Sequence, residues 1–132
     1  MRVCTFVVAA ALLLFSAPAG RAGLYALPGQ ASTPRVIEVT AERFEFWPPE
    51  IALQEGEQVE FRIRSEDTAH GFRILGTATN LQVPKRGKGY ASILFTAERE
   101  GRYTFECSRM CGAGHHFMRG LLIVRAASPR TP

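Results

Sequence analysis

The sequence of 132 residues predicts an all-β domain, a sandwich built from several short strands. Three observations support this fold class. Apolar and polar residues alternate with period two, most clearly in residues 59–64 and 102–107. Turn residues separate the alternating runs at short intervals. Outside the N-terminal region, no long segment has the periodicity of a helix.

The strands expected in order are residues 36–46, 50–53, 59–64, 71–75, 90–96, 102–107 and 120–124. Turn signals rich in proline and glycine lie between them, at residues 47–49, 55–56, 86–89 and 98–101. Several short strands at this spacing favour a β-sandwich with one hydrophobic core.

The N-terminus resembles a secretory signal peptide. Arg2 precedes an apolar run over residues 3–15, and a short Ala-rich segment with an A-x-A pattern follows. A run of 13 residues spans only roughly 20 Å as a helix, so a retained membrane anchor is the marginal alternative. We therefore expect export to the periplasm or the outer face of the cytoplasmic membrane, with membrane association if the segment is retained. Cleavage would remove Cys4 and leave Cys107 and Cys111.

The expected organisation is a signal peptide at 1–19, a linker at 20–34, one domain at 35–125 and a flexible tail at 126–132. This length excludes a dinucleotide fold with a second substrate domain. The net charge of +4 is too small to predict nucleic-acid binding. The charge is uneven, however. Residues 36–67 carry nine acidic and three basic side chains, and residues 68–132 carry three acidic and ten basic ones.

The segment most informative about function is C-S-R-M-C-G-A-G-H-H-F-M, residues 107–118. It lies between two predicted strands, where a rigid scaffold can hold ligands. Thiolates and a thioether are soft ligands that suit copper, and imidazole suits copper or zinc. A second imidazole is expected from His70, which precedes another predicted strand. The candidate ligands are His70, Cys107, Cys111, His115 and Met118.

Several arrangements of these ligands are open. The two cysteines could form a disulfide, or they could join both histidines in a closed zinc site. A single blue copper needs only His70, Cys111, His115 and Met118. A dinuclear site bridged by both thiolates uses every candidate, with a backbone carbonyl as the remaining weak donor.

The spacing C-x-x-x-C-x-x-x-H-x-x-M, with a distant histidine, resembles the dinuclear copper A domain of cytochrome c oxidase subunit II. The resemblance covers most of residues 36–125 and includes the aromatic segment F-E-F-W-P at residues 44–48. It implies a cupredoxin-like Greek-key β-sandwich or barrel. It implies two coppers bridged by Cys107 and Cys111, with the Arg109 backbone carbonyl on one copper and Met118 axial on the other.

The implied activity is single-electron transfer in a respiratory chain, from a c-type cytochrome or other redox protein toward a terminal oxidase. Haem–copper oxidase subunit I is the implied partner, and no substrate bond is made or broken by this chain alone. The alternatives are an exported copper chaperone or store and a single-copper blue cupredoxin. Phe72 and Phe117 are expected to keep water from the site. Trp47 is interpreted as a packing residue, with electron entry as its functional alternative.

Two features depart from the family pattern. Arg109 stands where a glutamate is common, and a guanidinium cannot act as a metal ligand in place of a carboxylate. The half of the chain that carries the ligands is basic, so an acidic or neutral partner is expected to suit it better than a basic cytochrome.

Overall fold

The computed structural model describes residues 33–127. The predicted signal peptide, the predicted linker up to residue 32 and the predicted tail from residue 128 lie outside the described residues. The strands are β1 (Arg35–Glu42), β2 (Glu45–Trp47), β3 (Glu50–Gln54), β4 (Gln58–Ser65), β5 (His70–Ile74), β6 (Asn80–Val83), β7 (Tyr90–Thr96), β8 (Gly101–Glu106) and β9 (Arg119–Arg125). One short 3-10 helix, His115–Phe117, precedes β9. Over residues 33–127, no helix has the length and hydropathy needed to cross a bilayer.

The strands form two sheets that face each other. One sheet has the order β2-β1-β4-β7 and the other β3-β9-β8-β5-β6. The pairs β1–β4 and β3–β9 are parallel, and the other paired strands are antiparallel. The predicted β-sandwich is therefore confirmed.

Alternation along each strand builds the core between the sheets. In β4, Val59, Phe61 and Ile63 are fully buried, whereas the residues between them reach the surface. Four phenylalanines meet at the centre, Phe46, Phe61, Phe72 and Phe105. The Phe72 ring centroid lies 5.3–5.7 Å from those of the other three. This aromatic cluster joins β2 and β4 to β5 and β8.

The structure corrects two details of the predicted strands. The predicted strand at 36–46 is wrong as a single element, because β1 ends at Glu42 and β2 begins at Glu45. The turn at Arg43 and Phe44 lets β2 fold back on β1. Strand β6 was not predicted, since its sequence N-L-Q-V is half polar and lies at a sheet edge.

Candidate metal centre

Two predicted ligands continue the inward face of the core. His70 is the first residue of β5, two positions before the buried Phe72. Cys107 directly follows β8, two positions after the buried Phe105. Because side chains two positions apart share one face of a strand, both ligands point inward. The core therefore ends, at this edge of the sandwich, in an imidazole and a thiol.

The loop from Cys107 to Met118 brings in the other candidate ligands. The Cys107 backbone N–H donates to the Met118 carbonyl oxygen at 3.0 Å, which closes the loop on itself. Within it, the 3-10 helix His115–Phe117 turns once, and the Met118 N–H donates to the His115 carbonyl oxygen at 3.2 Å. Residues three apart lie above each other in a 3-10 turn, so His115 and Met118 project to one side.

The donor atoms lie close together. The Cys107 and Cys111 Sγ atoms are 3.8 Å apart, and both thiols are free. His70 Nδ1 lies 3.9 Å from Cys107 Sγ, and His115 Nδ1 lies 3.8 Å from Cys111 Sγ. Met118 Sδ lies 3.8 Å from Cys111 Sγ, and the Arg109 carbonyl oxygen lies 3.0 Å from Cys107 Sγ.

These distances fit shared metal ions better than direct contacts. Two ligands that bind one ion at about 2.0–2.3 Å, near tetrahedral angles, lie roughly 3.3–3.8 Å apart. His70, Cys107 and Cys111 are all buried, and their donor atoms lie within 4.8 Å of one another. A disulfide would instead hold the two sulfurs about 2.05 Å apart. The cupredoxin-type donor set of thiolate, imidazole and thioether favours copper.

Burial governs the protonation of the Cys111 thiol in the metal-free chain. Burial, followed by the nearby Cys107, raises the pKa of the Cys111 thiol to about 11. The Gly71 backbone N–H points to Cys107 Sγ at 3.5 Å and offers the sulfur a weak hydrogen bond. A bound cation would replace the thiol protons, since only thiolates act as ligands.

Asp67 orients the His70 imidazole. Its Oδ1 lies 2.7 Å from His70 Nε2, so Nε2 carries the proton and Nδ1 is the nitrogen that faces Cys107. Burial opposes ionisation of Asp67, but hydrogen bonds from His70 and from two backbone N–H groups outweigh it and lower the pKa of the carboxyl. Asp67 has no role among the residues predicted from the sequence. Its position three residues before a ligand histidine was the available signal.

Arg43 links the two ligand-bearing segments and was also missed. Its Nε donates to the Cys111 carbonyl oxygen at 2.8 Å and lies 3.7 Å from Asp67 Oδ2. Its backbone N–H donates to the same carboxylate oxygen at 3.2 Å. The β1–β2 turn therefore holds both the Asp67–His70 segment and the cysteine loop.

The two glycines of the loop have different reasons to be glycine. Gly112 has a φ of +145°, which side chains rarely adopt. Gly114 has an ordinary φ of −90°, but a Cβ there would lie 2.3 Å from the Phe44 ring. Phe44 therefore packs directly under the loop, and the second glycine is required by space rather than by a turn.

Several other predicted residues lie at the surface. Trp47 is 71% exposed, so its interpretation as a packing residue is wrong. Phe117 is 80% exposed, so only Phe72 of the two expected shielding residues is buried. His116 and Met110 are also exposed. The 3-10 helix turns His115 inward and leaves its two following residues outward. The Arg109 side chain extends outward to Gln82 Oε1 at 3.2 Å, and only its carbonyl faces the sulfurs.

Comparisons with known proteins identify the domain family of this chain. The Cupredoxin-like domain family matches residues 5–124. Cytochrome c oxidase subunit 2 of Thermus thermophilus is 34% identical over 89 residues, which cover 67% of this chain. The match spans 64% of that protein's length and 52% of a second sequence of the same name from T. thermophilus.

Two solved structures of oxidase chains are also similar to this chain. A chain of a heme-copper terminal oxidase dimer is 33% identical, with a TM-score of 0.58, over 69% of this chain and 65% of its own. The periplasmic domain of subunit II of cytochrome oxidase of Bradyrhizobium japonicum shares the fold, with a TM-score of 0.62 at 15% identity, over 70% of this chain and 84% of its own. The chain therefore belongs to the cupredoxin-like domain family, and it is similar over part of their length to subunit II chains of cytochrome oxidases.

Proposed function

We propose that this chain is an exported electron carrier with a dinuclear copper A site held by His70, Cys107, Cys111, His115, Met118 and the Arg109 carbonyl. One observation carries the proposal: two free thiol sulfurs lie 3.8 Å apart, and each has an imidazole Nδ1 beside it. A single tetrahedral ion would leave two of the six proposed donors unused. Two bridged ions would use all of them.

When bound, a pair of copper ions would accept and donate single electrons, and the two ions would share the unpaired electron. The protein's part is to keep the donor atoms fixed. Asp67 fixes the ring of His70, and Arg43 ties the Cys111 carbonyl to the same carboxylate. Because fixed donor atoms would move little between the oxidised and reduced states, the reorganisation energy of electron transfer would be low.

Exclusion of water is the second role of the chain. Met118 and Phe72 are 1% and 0% exposed, and they close the site from the core side. The sulfurs of Cys107 and Cys111 are buried with them. A dry, apolar environment is one of the ways in which a protein tunes the redox potential of a metal site.

The similarity to subunit II supports a place in electron transfer to a haem–copper oxidase. On this proposal the donor is a c-type cytochrome or another redox protein, and the acceptor is oxidase subunit I. The Bradyrhizobium relative is a periplasmic domain, which supports export together with the signal-like N-terminus. Trp47, 71% exposed, remains the candidate for electron entry.

The test is copper analysis and electron paramagnetic resonance of the full chain after copper loading. We expect two coppers per chain and hyperfine structure from two equivalent nuclei that share one electron. A signal from one copper would contradict the dinuclear site and favour a blue single-copper carrier. Copper that is removed readily by a mild chelator, without a delocalised signal, would favour a chaperone or store.

A further inference from the structure

The surface around the ligand cluster is strongly basic. Four exposed cations lie on two neighbouring loops, and none of them forms a salt bridge with another described residue. They are Lys85, Arg86, Lys88 and Arg109, named here the basic rim. Elsewhere on the domain many arginines are neutralised, such as Arg62 by Glu60 and Arg73 by Glu106.

Hydrogen bonds place the basic rim beside the ligands. The Arg86 backbone N–H donates to the Asp67 carbonyl oxygen at 3.1 Å, so the β6–β7 loop lies against the segment that orients His70. Arg109 lies between the two cysteines in sequence and reaches Gln82 on β6. The rim therefore borders the side of the site formed by His70 and Cys107.

Exposed apolar side chains adjoin this rim. Met110 and Phe117 are 68% and 80% exposed, and both belong to the ligand loop. Apolar contacts with a charged surround are typical of a protein interface, in which the charges steer encounter and the apolar groups make the contact. The opposite end of the sandwich has the reverse charge. Its loops at 55–57, 75–79 and 97–100 carry four glutamates and one arginine.

We propose that the basic rim, with Met110 and Phe117, is the docking surface for an acidic redox protein. The inference rests on the proposed electron transfer, because a partner must approach the end of the sandwich that holds the ligands. The charge contrast between the two ends favours this orientation, since an acidic partner is attracted to the rim and repelled by the opposite loops. Association is therefore expected to weaken as salt screens the charges.

The experiment measures binding of the metal-free full chain to c-type cytochromes by calorimetry, at low salt and at about 0.15 M ionic strength. The probes are one acidic and one basic cytochrome of similar size. We expect the acidic cytochrome to bind at low salt, with at least about tenfold weaker binding at the higher ionic strength. The basic cytochrome is expected to bind more weakly at both.

Two charge-reversal variants, matched in net charge, test where on the domain the partner docks. The first variant combines Lys85→Glu, Arg86→Glu and Lys88→Glu. The control combines Arg99→Glu, Arg102→Glu and Arg125→Glu, which gives the same change of net charge at the opposite end. Binding of the acidic cytochrome is expected to weaken about tenfold or more in the first variant and less than about threefold in the control.

Equal weakening in both triple variants would overturn the location of the surface. Tighter binding of the basic cytochrome would overturn the partner's chemistry, and so would tighter binding to phosphatidylglycerol vesicles than to the acidic cytochrome. Because the binding assay uses metal-free protein, it is independent of the copper signal. Binding without a two-copper signal would refute the proposed site alone, and a two-copper signal without binding would refute the docking surface alone.

Discussion

The two ends of the sandwich are built on the same strands and differ in what the loops bring to them. At the ligand end, the loops at 43–44, 66–69, 84–89 and 107–118 surround His70 of β5, and the last of them places two thiols, a second imidazole and a thioether near it. These loops carry five basic and two acidic side chains. At the distal end, the loops at 75–79 and 97–100 border a cavity of about 320 Å³ that no histidine or cysteine lines.

Strand β5 shows how one element serves both ends. His70 begins it at the ligand end, and Ile74 ends it at the distal end, with Phe72 buried between them. The aromatic cluster holds the middle of the strand rigidly. The scaffold is therefore common to both ends, and the chemistry depends on the residues that the scaffold holds at each end. Matched substitutions at or near the two ends can therefore separate a role in the site from a role in the fold.

Loss of a bridging thiol should have the largest effect. Cys107→Ser or Cys111→Ser is expected to lower copper below two per chain and to abolish the two-copper hyperfine pattern, because an alcohol is a poor soft-metal ligand. The control Met110→Leu removes a sulfur from the same loop at a 68% exposed position. Copper analysis and electron paramagnetic resonance check this. An unchanged spectrum in either serine variant would contradict the bridged site.

Two glycines near the ends of β5 give the next contrast. At Gly71 a Cβ would lie 2.8 Å from the Arg109 backbone nitrogen, so Gly71→Ala should displace the ligand loop and destabilise the fold by about 1–3 kcal/mol. Gly76, with a φ of +80°, has open space, so Gly76→Ala should cost about 1–2 kcal/mol through backbone strain alone.

Urea denaturation and copper loading distinguish these two variants. Both should lose stability, but only Gly71→Ala should alter the copper spectrum. Equal spectra in the two variants would show that the close packing of β5 against the ligand loop is not needed for the site.

Asp67→Asn tests orientation of the imidazole. Asn keeps the shape but accepts a weaker hydrogen bond from His70 Nε2–H, and loss of such a partner typically lowers metal affinity about 10–100-fold. Glu66→Gln is the matched control, because the Glu66 side chain pairs, within residues 33–127, only with the exposed Arg64. Competition with a copper chelator measures both affinities. Equal affinities would exclude an orienting role for Asp67.

Arg43→Gln should have the smallest effect. It removes the hydrogen bond to the Cys111 carbonyl, and because the side chain is 50% exposed we expect a loss of only about 1 kcal/mol. Arg64→Gln, at a side chain 62% exposed, removes a surface pair without touching the loop. The two free energies of unfolding, from urea titration of the metal-free chain, provide the comparison. A larger loss of unfolding free energy in Arg64→Gln than in Arg43→Gln would argue against a stabilising role for the hydrogen bond from Arg43 to the Cys111 carbonyl.

Much of the fold could be predicted from local patterns. Period-two alternation in residues 59–64 and 102–107 predicted β4 and β8, with strand ends within about one residue of those observed. Prediction failed where local signals were weak. The polar edge strand β6 has few apolar residues, and the turn at Arg43 lies within a run that contains no glycine, proline, asparagine or aspartate. Whether Trp47 or Phe117 is buried depends on neighbours distant in sequence, and the sequence patterns do not encode this.

The sequence by itself determined most of the alternating strands and the candidate donor set, because period two and the spacing of Cys107, Cys111, His115 and Met118 are local properties. Tertiary structure alone decided that His70 lies beside Cys107, that Asp67 and Arg43 brace the ligands, and that the Phe44 ring requires Gly114. It also placed four cations around one end of the molecule. These are contacts between segments distant in sequence, and they form only when both sheets pack on the shared aromatic core.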